Sequence, residues 1–407
     1  SSTPEKSQQS GAELGLDPSR IYDDFRSMAI REAKLKNGIE AVSIVTPNHM
    51  HYPAAKEFLR RGIHVICDKP LTSNLADAKK LLKVAEESDA LFILTHNYTG
   101  YPMVRQAREM VKSGELGEIR LVQMEYPQDW LAEPIEQTGQ KQAAWRTDPK
   151  QSGVGGSTGD IGTHAYNLGC FVSGLELEEL AADVHTFVAG RQLDDNAHVM
   201  MRFAGGAKGL LWCSQVATGH ENGLKVRVYG TKGGIEWVQA DPNYLWFTPL
   251  GKPRQLITRN GAGSGPAAAR VSRIPSGHPE GYLEGFATIY TEAARAIIAR
   301  RKGVAVDPDV LLLDEPLGAL DLKLRRQMQD ELKAIQQRVG TTFVHVTHDQ
   351  EEAMAIADRI VVMNQGRVED FGPPAQIYMR PKSLFSAGFM GEVNFLDGIV
   401  TSVRGEM

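Results

Sequence analysis

Short apolar runs alternate with helical patterns between residues 38 and 113, and this alternation limits the fold more than any other feature of the sequence. The apolar runs are rich in β-branched residues, which predicts buried strands at Gly38–Thr46, His64–Cys67 and Ala90–Leu94. Apolar residues at helical spacing predict helices at Tyr22–Lys36, Pro53–Arg61, Asn74–Glu87 and Met103–Ser113. Strands that alternate with helices predict a parallel α/β sheet, which binds its ligands in the loops after the strands.

The pattern changes near Ile119 to longer strands separated by glycine turns. The predicted strands are Leu121–Tyr126, Ala197–Phe203, Gly209–Gln215, Lys225–Tyr229 and Gly234–Val238. Such strands predict a mostly antiparallel sheet, hence a second domain of the α+β type. We therefore place one domain at residues 1–118 and another at residues 119–303, with a helix at Tyr282–Arg300 as its last element.

Composition and charge exclude several classes of protein. The 407 residues carry a net charge of −5 and no dominant basic block, so nucleic acid is not an expected partner. Cys67, Cys170 and Cys213 are far apart and odd in number, which indicates reduced thiols rather than a disulfide framework or a zinc site. No apolar run reaches transmembrane length and the polar first twenty residues lack a signal-peptide core, so we expect a cytoplasmic protein.

Polar loops follow the three predicted strands of the first domain and are expected to meet at one edge of its sheet. They hold Thr46-Pro47-Asn48 with His51, then Asp68-Lys69-Pro70, then Asn97-Tyr98. A lysine beside a proline-fixed turn offers a rigidly aimed cation or proton donor. The structural alternative is that Lys69 is a surface lysine after a strand.

Asp160 and His164 lie four positions apart in the second domain. On a helix this spacing puts both side chains on one face. A carboxylate beside an imidazole raises its basicity and fixes its orientation, which suits the removal of a hydroxyl proton while hydride leaves the carbon. The structural alternatives are a helix cap for Asp160 and a hydrogen-bonded core histidine for His164.

Together these motifs resemble the glucose–fructose oxidoreductase / inositol dehydrogenase family (Gfo/Idh/MocA) over about residues 1–302. The resemblance implies an incomplete Rossmann-like sheet and NAD(P)-dependent oxidation of a secondary hydroxyl group on a sugar, cyclitol or related polyol. It implies that His164 is the base, that Asp160 orients it and that Lys69 holds the substrate oxygen. The implied contacts of NAD or NADP are Thr46, Pro47, Asn48, His51, Asp68, Lys69, Pro70 and Asn97. The implied substrate contacts are Tyr98, Trp145, Arg146 and His164.

The sequence departs from the family pattern at two points. Asp68 stands where the family has glutamate, and no strand with a Gly-x-Gly-x-x-Gly turn precedes Gly38. In the family, the amides of that turn and the helix after it hold the cofactor's pyrophosphate. We therefore expect the 407-residue chain to bind NAD(P) weakly and its dehydrogenase activity to be impaired.

A second set of motifs begins after residue 306. An apolar strand leads into Asp314-Glu315, and Asp321 and His348 follow as in a D-loop and a switch-histidine loop. This set resembles the ATP-binding subunit of an ABC importer of the polyamine, maltose or iron type. The resemblance implies a partial P-loop-NTPase-like α/β segment at residues 307–382 and the start of a truncated regulatory barrel at residues 383–407. It also implies ATP, Mg²⁺ at Asp314 and a membrane permease as partner.

The phosphate loop, Q-loop and signature motif of such ATPases are missing from the sequence, so we expect no ATP hydrolysis. The preferred hypothesis is a polyol dehydrogenase that forms a homo-oligomer through its second domain. The alternatives are the ATP-binding subunit of an importer and a chimeric fragment with neither activity. The sequence leaves open which polyol is oxidised and whether NAD or NADP is used.

Overall fold

The computed structural model describes residues 3–304, 311–312, 353–354, 357–364 and 367–390. The chain divides into two compact units, Ser1–Ala319 and Leu320–Met407. The domain boundaries given above remain predictions. The ATPase-like residues Asp314, Glu315, Asp321 and His348 lie outside the described residues.

A parallel three-stranded arrangement forms the first domain, which confirms the predicted α/β class. Its strands are β1 (Ala41–Ile44), β2 (His64–Asp68) and β3 (Phe92–Thr95). β2 lies in the centre and pairs in parallel with both neighbours. A two-residue strand, β12 (Leu311–Leu312), pairs antiparallel with β3. The sequence assigns these two residues to the start of the ATPase-like segment.

Helices cover both faces of this sheet. The helices before the second domain are α1 (Pro4–Glu13), α2 (Phe25–Glu32), α3 (His51–Leu59), α4 (Leu75–Glu86) and α5 (Pro102–Lys112), and α10 (Tyr282–Arg301) follows that domain. Val65 packs with Phe58 and Leu81 on one face of the sheet. Ile66 packs with Ile289 and Ala293 of α10 on the other. Burial on both faces explains why the strands are continuous apolar runs.

An eight-stranded sheet forms the second domain, in the order β11-β10-β9-β8-β4-β7-β6-β5. Its strands are β4 (Ile119–Pro127), β5 (Leu177–His185), β6 (Asn196–Phe203), β7 (Lys208–Ser214), β8 (Lys225–Gly230), β9 (Gly233–Val238), β10 (Tyr244–Pro249) and β11 (Gln255–Thr258). All neighbours are antiparallel except β4 and β7. The mostly antiparallel sheet is as predicted, but the sequence analysis missed β5, β10 and β11.

Helices cover one face of this second sheet. The covering helices are α8 (Thr163–Ser173) and α5. The shorter elements before and after α8 in the chain are α6 (Lys141–Arg146), α7 (Pro149–Ser152), a π-helical turn (Thr158–Gly162) and α9 (Pro266–Ala269). Leu168 and Val172 of α8 and Val104 of α5 pack with Met124 and Leu211 of the sheet. In the described part of the chain, the opposite face, called the open face here, carries exposed apolar side chains: Leu121, Leu180, Met200 and Leu210.

The second compact unit contains a hairpin and two helices among its described residues. The elements are β13 (Ile360–Asn364), β14 (Arg367–Gly372), α11 (Pro374–Met379) and α12 (Leu384–Met390). β13 and β14 pair antiparallel, with Ile360, Val362 and Ile377 as their buried core. In the part of the chain that the structure describes, no helix combines the length and apolar character needed to cross a membrane.

Candidate active site

A buried histidine joins the loops after β1 and β2. His51 begins α3 and is fully buried. Its Nδ1 lies 2.8 Å from the carbonyl oxygen of Pro70, and its Nε2 lies 2.9 Å from that of Thr46. Since its ring nitrogens face carbonyl oxygens of both loops, His51 links the loop after β1 to the loop after β2, and its contact with the cofactor stays a prediction.

The loop after β1 also contacts the second domain. Asn48 is buried, and its side-chain amide donates to the carbonyl oxygen of Ser152 at 2.8 Å. Gly153 follows with a φ of 105°, and a Cβ atom there would lie 2.1 Å from the carbonyl oxygen of Ser73 in the loop after β2. Only glycine fits both the conformation and the close approach. The two domains therefore meet along the loops that carry the predicted site.

Lys69 and Asp160 form the central ion pair of the site. Lys69 directly follows β2, and Asp160 lies on the π-helical turn ahead of α8. Lys69 Nζ lies 2.7 Å from Asp160 Oδ1 and also donates to the main-chain carbonyl of Asp160. Each side chain is only 18% exposed. Two bonds to one residue fix the direction of the ammonium group, and π-helical turns of this kind are common at functional sites.

Asp194 holds the turn that carries Asp160. Its Oδ1 accepts from the main-chain nitrogen of Gly156 at 2.6 Å and from the hydroxyl of Thr158 at 2.9 Å. Its Oδ2 accepts from the hydroxyl of Ser157 and from the main-chain nitrogen of Thr158, both at 2.7 Å. Four donors on one buried carboxylate fix the start of the turn. The sequence analysis did not identify this role of Asp194.

The second carboxylate oxygen of Asp160 binds two residues of the second domain. Gln215 Nε2 donates to Oδ2 at 2.9 Å, and Arg146 Nε lies 3.3 Å from it. Burial works to raise the pKa of Asp160, but the charges of Lys69 and Arg146 outweigh it and hold that pKa below its usual value. Asp160 is therefore ionised at neutral pH. Its carboxylate bonds to Lys69, Gln215 and Arg146, whereas the sequence predicts a bond to His164.

His164 is a buried, neutral imidazole. It is 8% exposed, and its ring lies edge to face with His96 and Tyr98 at centroid distances of 5.6 and 4.9 Å. Burial, then the charge of Lys69 and the proximity of His96, lower the pKa of His164 well below its usual value. Burial and Lys69 lower the pKa of His96 to about 3. Within the described residues, Nδ1 of each ring has no hydrogen-bond partner.

Tyrosine side chains surround His164. The hydroxyl of Tyr98 lies 2.6 Å from that of Tyr126. Burial raises the pKa of both hydroxyl groups. Tyr282, at the start of α10, lies 6.3 Å from Tyr98 between ring centroids and is half exposed. The predicted substrate contact Tyr98 is therefore beside His164, while Tyr126, a strand residue without a distinguishing sequence signal, is an additional wall residue.

Arg146 lies between two indole rings beside Asp160. Its guanidinium carbon is 4.3 Å from the ring centroid of Trp145 and 5.9 Å from that of Trp130. Its Nη1 donates to the side chain of Gln142, one turn earlier in α6. Cation–π contact and this bond hold the guanidinium group in place. The structure thus puts both predicted substrate contacts, Trp145 and Arg146, next to the central ion pair.

The remaining predicted cofactor contacts lie at the ends of the parallel strands. Asp68 accepts from the hydroxyl of Thr95 at 2.7 Å, which links the loops after β2 and β3. Thr46 is exposed and Pro47 is partly buried. Asn97 is 2% exposed, and its amide nitrogen has no partner in the described part of the chain. Because a buried donor without a partner costs roughly 1–3 kcal/mol, Asn97 fits a site that a polar ligand completes.

The thiols and the metal-binding side chains form no further centre among the described residues. All three cysteines are free. Burial raises the pKa of Cys170 to about 11 and that of Cys213 to about 12, so neither is a thiolate at neutral pH. No group of three or more His, Cys, Asp or Glu side chains that could hold a metal occurs in the described ranges. The predicted Mg²⁺ ligand, Asp314, lies outside them.

Two family profiles match the chain in tandem. The NAD-binding Rossmann fold of the Gfo/Idh/MocA oxidoreductase family matches residues 1–96, and the Gfo/Idh/MocA C-terminal domain matches residues 104–236. The uncharacterized oxidoreductase YfiI of Bacillus subtilis is 34% identical over 300 residues. This match covers 73% of the chain and 76% of YfiI.

Solved structures of oxidoreductases are similar to the same region. An oxidoreductase from Sinorhizobium meliloti is 73% identical with a TM-score of 0.68, over 76% of this chain and 82% of that one. An inositol dehydrogenase homologue from Azotobacter vinelandii, complexed with NADH and myo-inositol, is 36% identical with a TM-score of 0.68, over 74% and 77%. A levoglucosan dehydrogenase, complexed with NADH and levoglucosan, is 26% identical with a TM-score of 0.64, over 76% and 82%.

A separate stretch of the chain is similar to a transport protein. Over 106 residues it is 56% identical to the spermidine/putrescine import ATP-binding protein PotA of Desulfitobacterium hafniense. The match covers 26% of this chain and 30% of the length of PotA. The similarity confirms that the chain joins an oxidoreductase region to a fragment of an ABC-type ATP-binding subunit.

Proposed function

This chain belongs to the Gfo/Idh/MocA oxidoreductase family, and from that premise we propose that it oxidises a secondary hydroxyl group of a neutral sugar, cyclitol or related polyol and transfers the hydride to NAD. The buried imidazole of His164, close to the Lys69–Asp160 ion pair, is the observation that carries the proposal. The imidazole can accept a proton, and the ammonium group can hold the oxygen that loses it.

His164 is the proton acceptor in this proposal. A hydroxyl group gives up its proton as the hydride leaves, so the base must be unprotonated at the working pH. Burial and the charge of Lys69 keep His164 unprotonated. The electron pair of the substrate C–H bond leaves as hydride, the hydroxyl proton passes to a ring nitrogen of His164, and the C–O bond becomes a carbonyl.

Lys69 holds the substrate oxygen. Its ammonium group has three N–H donors, of which Asp160 takes two through Oδ1 and its main-chain carbonyl. The third donor is left for the substrate oxygen, and its positive charge stabilises the negative charge that develops there. Asp160 therefore acts on the reaction through Lys69.

NAD supplies the hydride acceptor when it is bound. We assign its nicotinamide half to the loop Thr46–Asn48 and to the amide of Asn97, whose nitrogen has no partner among the described residues and so fits a polar ligand.

The charges around the ion pair favour an uncharged substrate. Lys69 and Arg146 both contact Asp160, and Asp68 contacts Thr95. Two positive and two negative side chains leave no net charge that would attract a sugar acid or a phosphate. The myo-inositol and levoglucosan bound by the solved relatives are uncharged polyols, which supports this substrate class.

The test measures NADH formation at millimolar NAD with a panel of cyclitols and neutral sugars. We expect turnover by the wild-type chain and a loss of about 10²-fold or more in His164→Ala, the usual effect of removing a general base. His198→Ala is the matched control, because His198 is exposed on β6 and stacks on Trp212. Equal turnover in wild type and His164→Ala would overturn the assignment.

We further propose that two copies of the chain pair through the open face of the eight-stranded sheet. Four large apolar side chains there are 47–63% exposed and line a cavity of about 540 Å³: Leu121, Leu180, Met200 and Leu210. Glu179 and Arg202 lie beside them and form an ion pair at 2.9 Å. A two-fold axis sets a patch against itself, so the apolar side chains can be buried while Arg202 of one copy meets Glu179 of the other.

Sedimentation velocity tests this pairing. Met200→Glu puts a charge into the apolar patch and is expected to convert dimers to monomers. Leu250→Glu is the control, because Leu250 is 76% exposed directly after β10, away from the patch. A Met200→Glu variant that sediments like the wild type would contradict the proposed interface.

The PotA-like stretch supports a second candidate function for residues 307–407, as part of an importer's ATP-binding subunit with a membrane permease as partner. By resemblance, Asp314 would hold Mg²⁺ with ATP, and Glu315 would polarise the attacking water. ATP hydrolysis that is lost in Glu315→Gln would give this function priority, whereas failure of both assays would favour a chimeric fragment with neither activity. Either function operates in the cytoplasm, where we propose that the chain resides.

A further inference from the structure

Gln215 connects the sheet of the second domain to the central ion pair. It directly follows β7 and is 3% exposed. Its main-chain nitrogen donates to the carbonyl oxygen of Asp195 at 2.8 Å, and its carbonyl oxygen accepts from the main-chain nitrogen of Leu131 at 3.2 Å. The backbone of Gln215 is thus held on both sides, which fixes the direction in which its side chain points.

The side chain of Gln215 makes the shorter of the two contacts to Asp160 Oδ2. Its Nε2 lies 2.9 Å from that oxygen, and Arg146 Nε lies 3.3 Å away. Arg146 is 27% exposed, on a short helix, whereas Gln215 is buried at a strand end. Because Oδ1 is bonded to Lys69, the contact at Oδ2 decides whether the carboxylate can rotate away from the lysine.

The neutrality of Gln215 matters in this position. Lys69 and Arg146 are already two cations on one carboxylate, and a third cation would repel both. A carboxylate there would repel Asp160. An amide donates a hydrogen bond to the ionised Asp160 without adding charge, so it fixes the carboxylate and leaves the charge of Lys69 balanced.

We propose that Gln215 is a positioning residue: through Asp160 it holds the Lys69 ammonium group where the substrate oxygen binds. The reference to the substrate rests on the proposed dehydrogenase function. That Gln215 secures Lys69 through Asp160 does not depend on this function, and it can be tested without cofactor or substrate.

The test measures how fast an amine-reactive acylating reagent modifies Lys69. The folded 407-residue chain is labelled first, and it is then digested so that the peptide with Lys69 can be followed by mass spectrometry. Gln215→Met keeps the length of the side chain and removes the donor, and Gln215→Asn keeps an amide that is one methylene too short to reach. Both are expected to increase the labelling rate of Lys69 roughly tenfold, as for the loss of a hydrogen bond to a charged group. Lys80, which is 60% exposed, is the internal reference.

Gln106→Met is the matched control. Gln106 is 6% exposed, and its side-chain oxygen accepts from the main-chain nitrogen of Gly265 at 2.6 Å. Its replacement also removes a buried amide, so a general loss of rigidity would raise Lys69 labelling in this variant too. The proposal predicts labelling of Lys69 at the wild-type rate.

A double variant tests whether Gln215 acts through Asp160. Asp160→Asn is expected to raise the labelling rate at least as much as Gln215→Met, and the two changes combined are expected to add little more. Lys69 labelling that is unchanged in both Gln215 variants, or effects that multiply in the double variant, would overturn the proposal. Labelling as predicted without any NAD-dependent turnover would instead count against the dehydrogenase function alone.

Discussion

Replacement of Asp160 by asparagine tests the central ion pair most severely. Asp160 receives bonds from Lys69, Gln215 and Arg146. An asparagine can keep one oxygen on Lys69, but its NH₂ group would then face the donors of Gln215 and Arg146. The variant therefore removes the buried negative charge, so that Lys69 and Arg146 lose their counter-ion. It also places the NH₂ group of the asparagine opposite the N–H groups of Gln215 and Arg146, with which it cannot form hydrogen bonds.

The loss of unfolding free energy expected in Asp160→Asn depends on how exposed the ion pair is. Breaking a buried ion pair by removing one partner costs about 3–5 kcal/mol. Because both side chains are 18% exposed, we expect the lower end, about 3 kcal/mol of unfolding free energy. For a domain of this size, that lowers the melting temperature by roughly 6–12 °C. The five tryptophans lie between positions 130 and 246, so their fluorescence reports on the domain that carries Asp160.

The difference in unfolding free energy between wild type and Asp160→Asn is expected to change with pH in a definite direction. The folded pKa of Asp160 lies below its unfolded value. Its stabilising effect is therefore complete above the unfolded pKa of about 4 and is lost as the pH falls through the folded value. The gap between wild type and Asp160→Asn should be constant from pH 8 to pH 5 and narrow below. Asp77→Asn, which alters a more exposed pair with Lys80 (28% and 60% exposed), is the control with little expected change. A gap that is absent at pH 7, or that widens in acid, would refute the reasoning.

Two further predictions follow from the same geometry. Lys69→Met should lower NAD-dependent turnover by about 10²-fold, as for a lost polarising group, and turnover near the wild-type value would remove Lys69 from the mechanism. Because His96 and His164 have lowered pKa values, the unfolded chain takes up protons below about pH 6.5 that the folded chain excludes. The free energy of unfolding, measured with urea, should therefore fall in acid by up to about 1.4 kcal/mol per pH unit for each histidine. His96→Phe should reduce that slope, and an unchanged slope would contradict the buried neutral state.

The sequence predicted the parts of the fold that follow from simple periodicity. The runs that became β1, β2 and β3 are apolar throughout because helices cover both faces of their sheet. β5 was missed because its sequence, Leu177–His185, is rich in leucine, glutamate and alanine, which favour helices. Pairing with β6 along its length overrides that preference, since strand formation depends on the neighbouring strand.

The structure brings together Lys69, Asp160 and His164, which the sequence singles out, but not with all of the bonds that the sequence predicts; their roles in catalysis stay predictions. Asp160 and His164 share a face if both lie on an α-helix, but Asp160 lies on a π-helical turn, where hydrogen bonds span five residues and the four-residue spacing no longer holds. The carboxylate therefore meets Lys69 from the other domain. Gln215 was missed because its role depends on which strand end lies next to that turn, and this is set by the order of strands in the sheet.

The fate of the substrate hydrogen tests the central claim most directly. A polyol that reduces NAD in the panel assay would be deuterated at its carbinol carbons, and the reduced cofactor analysed by mass spectrometry. The account predicts that one deuterium enters the nicotinamide ring at each turnover and that His164→Ala slows this transfer by about 10²-fold. Reduced cofactor without deuterium, transfer that does not depend on His164, or no reduction of millimolar NAD by any polyol would contradict it.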